Sequence, residues 1–126
     1  MNKLCLVVVV MICCAGCFPT GDSDPVLEAY VRDMVDTNDI VTLDNFGQTA
    51  VNIASEAVFT LTEDEQKELA RKIAYRAIVL DEDRRLILVA FSKVVDPIQM
   101  ISFAWRNDQG NPVLSEKQYA GNFDRS

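Results

Sequence analysis

The sequence predicts an α+β domain, in which N-terminal helices pack on one face of a small antiparallel sheet of about three strands. Two segments, 25–36 and 63–79, carry apolar residues at helical spacing. Further along, the apolar run LILVAFS (86–92) and the turn-forming groups Asp96-Pro97 and NDQG (107–110) divide the chain into strand-length pieces. One domain is therefore expected over 25–115.

The first helix is predicted over 25–36. Asp24 can cap its free N–H groups, and proline is favoured at the first helical position, which Pro25 occupies. The apolar stripe that follows consists of Val26, Leu27, Tyr30, Val31, Met34 and Val35.

Residues 40–61 fit two patterns. The positions Phe46, Ala50, Ile53, Ala54 and Ala57 suit one face of a helix, whereas Val51, Ile53, Ala57, Phe59 and Leu61 suit an alternating strand. The alanine content favours a helix over 45–58.

The second helix is predicted over 63–79. Thr62 and Glu65 have the spacing of a capping box, in which each side chain binds the other residue's backbone N–H. Acidic residues in the first turn also suit the helix dipole.

The strands are expected after a turn at 81–85. The run 86–92 is typical of a strand buried on both faces or nearly so, and 98–106 is the next strand. A turn at 107–110 leads to a short return strand, 111–115, which Pro112 marks as an edge. Residues 116–126 are predicted to be a polar tail.

The N-terminus has the features of a secretory signal. Lys3 gives a positive start, Leu4 to Ala15 is apolar or cysteine, and the small residues Ala15 and Gly16 precede Cys17. About twelve helical residues rise only about 18 Å, too short for a bilayer core of about 30 Å.

With CAGC at 14–17, this segment resembles a bacterial lipoprotein precursor. The resemblance implies cleavage between Gly16 and Cys17, removal of the signal peptide 1–16, and lipidation of Cys17, with 17–24 as a tether. Phe18, rather than aspartate, follows Cys17, which in such lipoproteins implies the outer membrane, facing the periplasm. An ordinary signal cleaved elsewhere and an uncleaved short anchor are the alternatives.

The net charge of the processed chain limits the classes of partner that it can bind. After processing at Cys17, eleven basic residues face nineteen acidic ones, a formal charge of −8. An acidic surface disfavours nucleic acid and anionic headgroups, so the membrane is expected to be reached through lipid on Cys17. It suits instead another envelope protein with a basic face.

Few classes of catalytic site remain open. The chain contains no histidine, no thiol would remain in the processed domain, and its glycines form no phosphate-binding loop. Asp81, Glu82 and Asp83 lack the alternate spacing of a calcium loop and are followed by two arginines. No catalytic residue, metal or cofactor is predicted.

Three aromatic residues are candidates for contact with a partner. Trp105 lies on one alternating face with Ile101 and Phe103, which favours a core position over a binding platform. Tyr119 and Phe123 lie in the polar tail, where they either fold back onto the sheet or meet a partner.

The sequence thus favours a lipid-anchored cell-envelope module that binds protein without catalysis, of the assembly, secretion, exclusion or immunity type. The alternative is a small-ligand-binding protein or a carboxylate-dependent envelope enzyme.

Overall fold

The computed structural model describes residues 22–37, 39–95 and 98–121. Two α-helices pack on one face of a five-stranded sheet. In chain order the elements are α1 (Pro25–Val35), β1 (Ile40–Asn45), β2 (Gln48–Ala54), a 3₁₀ helix (Ala57–Thr60), α2 (Glu63–Leu80), β3 (Leu86–Lys93), β4 (Gln99–Asp108) and β5 (Asn111–Gly121). The α+β class is confirmed, whereas the expectation of about three strands is wrong.

Both helices begin at the residues that the sequence predicts. The Asp24 Oδ1 accepts hydrogen bonds of 3.1 Å from the N–H groups of Val26 and Leu27. The capping box is also present, since Thr62 Oγ1 accepts from Glu65 N at 3.2 Å and Glu65 Oε1 accepts from Thr62 N at 2.9 Å. Local side-chain chemistry therefore sets both helix starts.

The prediction of a helix over 45–58 is wrong, because most of these residues belong to the β1–β2 hairpin. Thr49, Val51 and Ile53 alternate toward the helices, and the alanines that suggested a helix, Ala50 and Ala54, lie on the opposite face of β2. Only Ala57–Thr60 is helical, as a single 3₁₀ turn.

The sheet is mixed rather than antiparallel. Its order is β1-β2-β3-β4-β5, and β2 pairs with β3 in parallel while the other neighbours are antiparallel. A parallel pair needs a long crossover, and the 3₁₀ helix with α2 provides it.

The domain extends beyond both predicted limits. Asp22 forms a two-bond backbone bridge with Asp44, at 3.1 and 2.8 Å, so part of the segment predicted as tether is folded. At the other end, β5 pairs with β4 as far as Gly121, so the predicted tail is strand up to that residue. This strand is an edge of the sheet, as Pro112 indicated.

The core lies between the sheet and the two helices. Leu27 and Val31 of α1 and Ile73 and Ala77 of α2 are fully buried. They meet the inward positions of the strands, which are Ile40, Val51, Ile53, Ile87, Val89, Phe91, Ile101, Phe103 and Trp105. Neither described helix packs on the opposite face of the sheet.

Candidate functional site: an acidic hollow beside Phe46

The turn between β1 and β2 contains a residue that is unusual at this position. Phe46 and Gly47 have φ values of 50° and 83°, the positive angles of a type I′ turn, for which Asn-Gly is the favoured pair. A left-handed conformation costs a residue such as phenylalanine about 1–2 kcal/mol. Because Phe46 is also 83% exposed, burial does little to offset that cost.

The second hairpin of the sheet provides a comparison within the molecule. Between β4 and β5, Gln109 and Gly110 adopt φ values of 55° and 93°, close to those of Phe46 and Gly47. A polar residue thus serves this turn, and the fold itself does not require an aromatic one. An exposed, strained aromatic residue is a reason to look for function around it.

Phe46 stands at the rim of a hollow of about 500 Å³, here called the acidic hollow. It lies between the hairpin turn and the α2–β3 turn. The lining residues are Asp22, Asp44, Asn45, Phe46, Gly47, Asp81, Asp83 and Arg84.

Arg84 forms the floor of the acidic hollow and is 3% exposed. Its Nη2 donates to Asp24 Oδ2 at 2.7 Å and to Asp44 Oδ2 at 2.6 Å, and its Nε donates to Asp44 Oδ1 at 3.1 Å. The Nη1 donates to the carbonyl oxygen of Ala77, at 2.7 Å, in the last turn of α2. One guanidinium therefore joins the start of α1, the end of β1 and the end of α2.

The charged forms of this network are mutually stabilised. Burial alone would raise the pKa of Asp24, but hydrogen bonds from Arg84 and from the Leu27 and Val26 N–H groups outweigh it, and its pKa lies below the usual value. Burial opposes the charge of Arg84, yet its bonds to Asp44 and Asp24 raise its pKa. Two carboxylates against one guanidinium leave a net charge of −1.

The surroundings add charges of both signs: Arg85 Nη2 donates to the carbonyl oxygen of Phe46 at 3.3 Å, while the end of α2 and the further aspartates of the lining are negative. The C-terminal end of a helix is negative, and the last turn of α2 has no basic residue. Asp81 caps this end, and Asp83 lies two residues beyond it. Within the described chain neither carboxylate, nor that of Asp22, forms a salt bridge.

The described residues contain no group of three or more acidic side chains placed to hold a metal ion. The carboxylates line the hollow without converging on one point. Such an arrangement suits several cationic side chains of a partner, with Phe46 available for apolar or cation–π contact.

The aromatic residues singled out by sequence fall in different places. Trp105 is 3% exposed in the core, stacked with Phe103, so as folded it offers no contact surface. Tyr119 is 57% exposed on β5, and its hydroxyl accepts from Gln99 Nε2 at 2.8 Å. Gly16, Cys17 and Phe123 lie outside the described residues.

The structure does not bring Tyr119 to the acidic hollow. Tyr119 pairs with Ile101 on the edge strand β5, while Phe46 lies at the far edge hairpin, beyond the Asn45–Gln48 pair. Sequence reasoning missed Phe46 because it placed this residue in a helix. The signal that was present is Asn45-Phe46-Gly47, a turn-type stretch between two alternating segments.

The chain matches no family model, no curated protein and no solved structure. No helix in the described part is long and apolar enough to span a membrane.

Proposed function

We propose that this protein is a lipid-anchored cell-envelope module that binds another protein, and that the partner inserts basic side chains into the acidic hollow. The single observation that carries the proposal is the exposed, strained Phe46 at the rim of a hollow whose carboxylates outnumber its cations. Anchoring through Cys17, at the periplasmic face of the outer membrane, is part of the proposal and rests on the lipoprotein-like N-terminus.

Two features that destabilise the isolated domain support this proposal. Aspartates beyond the C-terminal end of α2 and a phenylalanine with positive φ each lower the stability of the isolated domain. Features that oppose folding are explained if a ligand uses them. A cationic partner would neutralise the carboxylates of the rim, and Phe46 would lose its exposure to water.

The rival class, a carboxylate enzyme, needs a carboxyl group kept protonated or two that converge on a substrate. The pKa of Asp24, the half-buried carboxyl of the network, is shifted in the other direction. The hollow is open and its other carboxylates are spread around the rim, which favours a protein surface over a small ligand.

The test is a pull-down with the full chain from detergent-solubilised envelopes, followed by quantitative mass spectrometry. The double substitution Asp81→Asn with Asp83→Asn removes two rim charges. Its matched control is Asp33→Asn with Asp108→Asn, which removes the same net charge from exposed residues elsewhere.

Two unit charges at 4 Å in water interact with about 1 kcal/mol, so losing two rim contacts is expected to weaken binding by roughly tenfold to thirtyfold. The control pair is expected to retain the same partners. If both pairs lose them equally, binding depends on overall charge and not on the hollow. If neither pair does, the hollow is not the binding site.

A further inference from the structure

The face of the sheet that no described helix covers, here called the open face, has an unusual composition. On β1 to β4 its residues form four rows across the sheet. The rows are Asn45, Gln48, Leu86 and Arg106; Leu43, Ala50, Leu88 and Ala104; Val41, Asn52, Ala90 and Ser102; and Ala54, Ser92 and Met100. Arg106 is the single charged residue at these described strand positions. Two acidic residues stand at the ends of rows: Glu116 of β5 pairs with Ala104, and Asp39, just before β1, accepts a hydrogen bond from Ala54 N at 3.0 Å.

Depletion of charge is the compositional mark of the centre of a protein interface. The middle of the open face is also low in relief, because Ala50, Ala90 and Ser102 are small and buried. Another sheet can therefore approach closely, at the roughly 10 Å that separates packed sheets.

The second row alternates large and small side chains: Leu43, Ala50, Leu88, Ala104. A two-fold axis parallel to the strands, passing between β2 and β3, brings β3 of one copy over β2 of the other, and β4 over β1. Leu88 then faces Ala50 of the second copy, and Leu43 faces Ala104 of the second copy. The row is complementary to itself, which a two-fold symmetric interface requires.

We propose that the open face packs against the open face of a second copy of this chain, in this register. The same operation places Arg106 opposite Asn45 of the second copy, where the amide oxygen can accept from the guanidinium. No charge is buried without a partner in this arrangement.

Charge and attachment both favour a second copy over a basic partner on this face. The processed chain carries −8, so copies repel one another elsewhere, while on β1 to β4 the described strand positions of the open face carry only the charge of Arg106. The described chain begins at Asp22, beside the β1–β2 turn. An axis parallel to the strands leaves this end of both copies on the same side, so that both can be attached to one membrane.

The size of the face predicts a weak dimer. Four strands at about 4.8 Å and four rows at about 6.8 Å give roughly 500 Å² per copy, or about 1,000 Å² in total, near the lower limit for a specific interface. We therefore expect dimers at high concentration or on a membrane, where attachment raises the local concentration.

The test is cysteine cross-linking of the full chain in envelopes with a short bis-maleimide, using two differently tagged copies. Ala50→Cys in one copy with Leu88→Cys in the other, and likewise Leu43→Cys with Ala104→Cys, should give cross-linked dimers. Ala104→Cys in both copies is the matched control, because the two sites would be three strand spacings apart, roughly 14 Å sideways. The wild-type chain reports any background from its own cysteines.

Dimers from both mixed pairs, with at least fivefold less from the control, support the proposed register. Equal yields from the control, or products with a different protein instead of the second copy, overturn it. If the mixed pairs give nothing, sedimentation of the wild-type chain in detergent decides: a monomer at the highest soluble concentration overturns the proposal, and a concentration-dependent dimer with no mixed-pair product overturns the register.

Discussion

Replacing Phe46 by asparagine is expected to leave the domain as stable as the wild type or more stable, by up to about 1 kcal/mol. Asparagine tolerates positive φ, so the substitution relieves about 1–2 kcal/mol of backbone strain. The 83% exposure of Phe46 leaves about one-sixth of its surface buried. For a side chain of about 200 Å² that is about 35 Å², or about 0.9 kcal/mol at 25 cal/mol per Å².

Gln109→Asn is the matched control, since Gln109 occupies the equivalent position of the other hairpin with φ 55°. It gains the same backbone relief with less apolar burial to lose, and should stabilise the domain by about 1 kcal/mol. Only Phe46→Asn should also weaken partner binding.

Urea unfolding is the appropriate assay, followed by the emission of Trp105, the single tryptophan, which is 3% exposed when folded. A loss of more than about 1 kcal/mol in Phe46→Asn would refute the reasoning, because the buried part of the Phe46 side chain contributes only about 0.9 kcal/mol. Phe46 would then be a structural residue, and its exposure would carry no functional meaning.

Three further predictions concern the charged network, the capping box and the anchor. Because the pKa of Asp24 is lowered on folding, its contribution is present above the unfolded value of about 3.8 and is lost as the pH falls through the lower folded value. Asp24→Asn, which can still cap α1, should flatten the fall in unfolding free energy below that pH, and an unchanged slope would contradict the ion-pair account. Thr62→Ala should lower the urea-derived stability by about 1 kcal/mol, whereas no change would mean that tertiary contacts hold this helix end. Cys17→Ser should abolish labelling with a palmitate analogue and release the protein from membranes; undiminished labelling would exclude Cys17 as the acceptor.

The sequence predicted those features that depend on neighbouring residues. Asp24 and Thr62 cap helices through bonds to residues two or three positions away, so their signals are local. The strand at 86–92 could also be predicted, because its apolar run is continuous.

The features that were missed depend on distant parts of the chain. The alanines of β2 gave a helical pattern, but this segment pairs with β1 in the hairpin and with β3 across the α2 crossover, and these pairings make it a strand. β5 continues past 115 because β4 offers partners for the polar residues, a contact that hydrophobic periodicity cannot report. Arg84 reaches carboxylates 60 and 40 residues away, so the charged network had no sequence signature.

The two proposed surfaces are compatible in one assembly, and this leads to a prediction about binding strength. The acidic hollow lies at the turn end of the sheet, whereas the open face is its side. The two surfaces share Asn45, which lines the hollow and would face Arg106 of the second copy, so dimerisation leaves Phe46 and the carboxylates of both hollows accessible. Since the proposed axis runs parallel to the strands, the two hollows point the same way and can bind one partner surface together. Leu88→Gln, which breaks the apolar row, should therefore leave binding to a soluble hexa-arginine peptide unchanged, yet reduce retention on a dense layer of the same peptide by tenfold or more. An equal loss in both formats would mean that Leu88 supports the hollow itself and that the two surfaces are not independent.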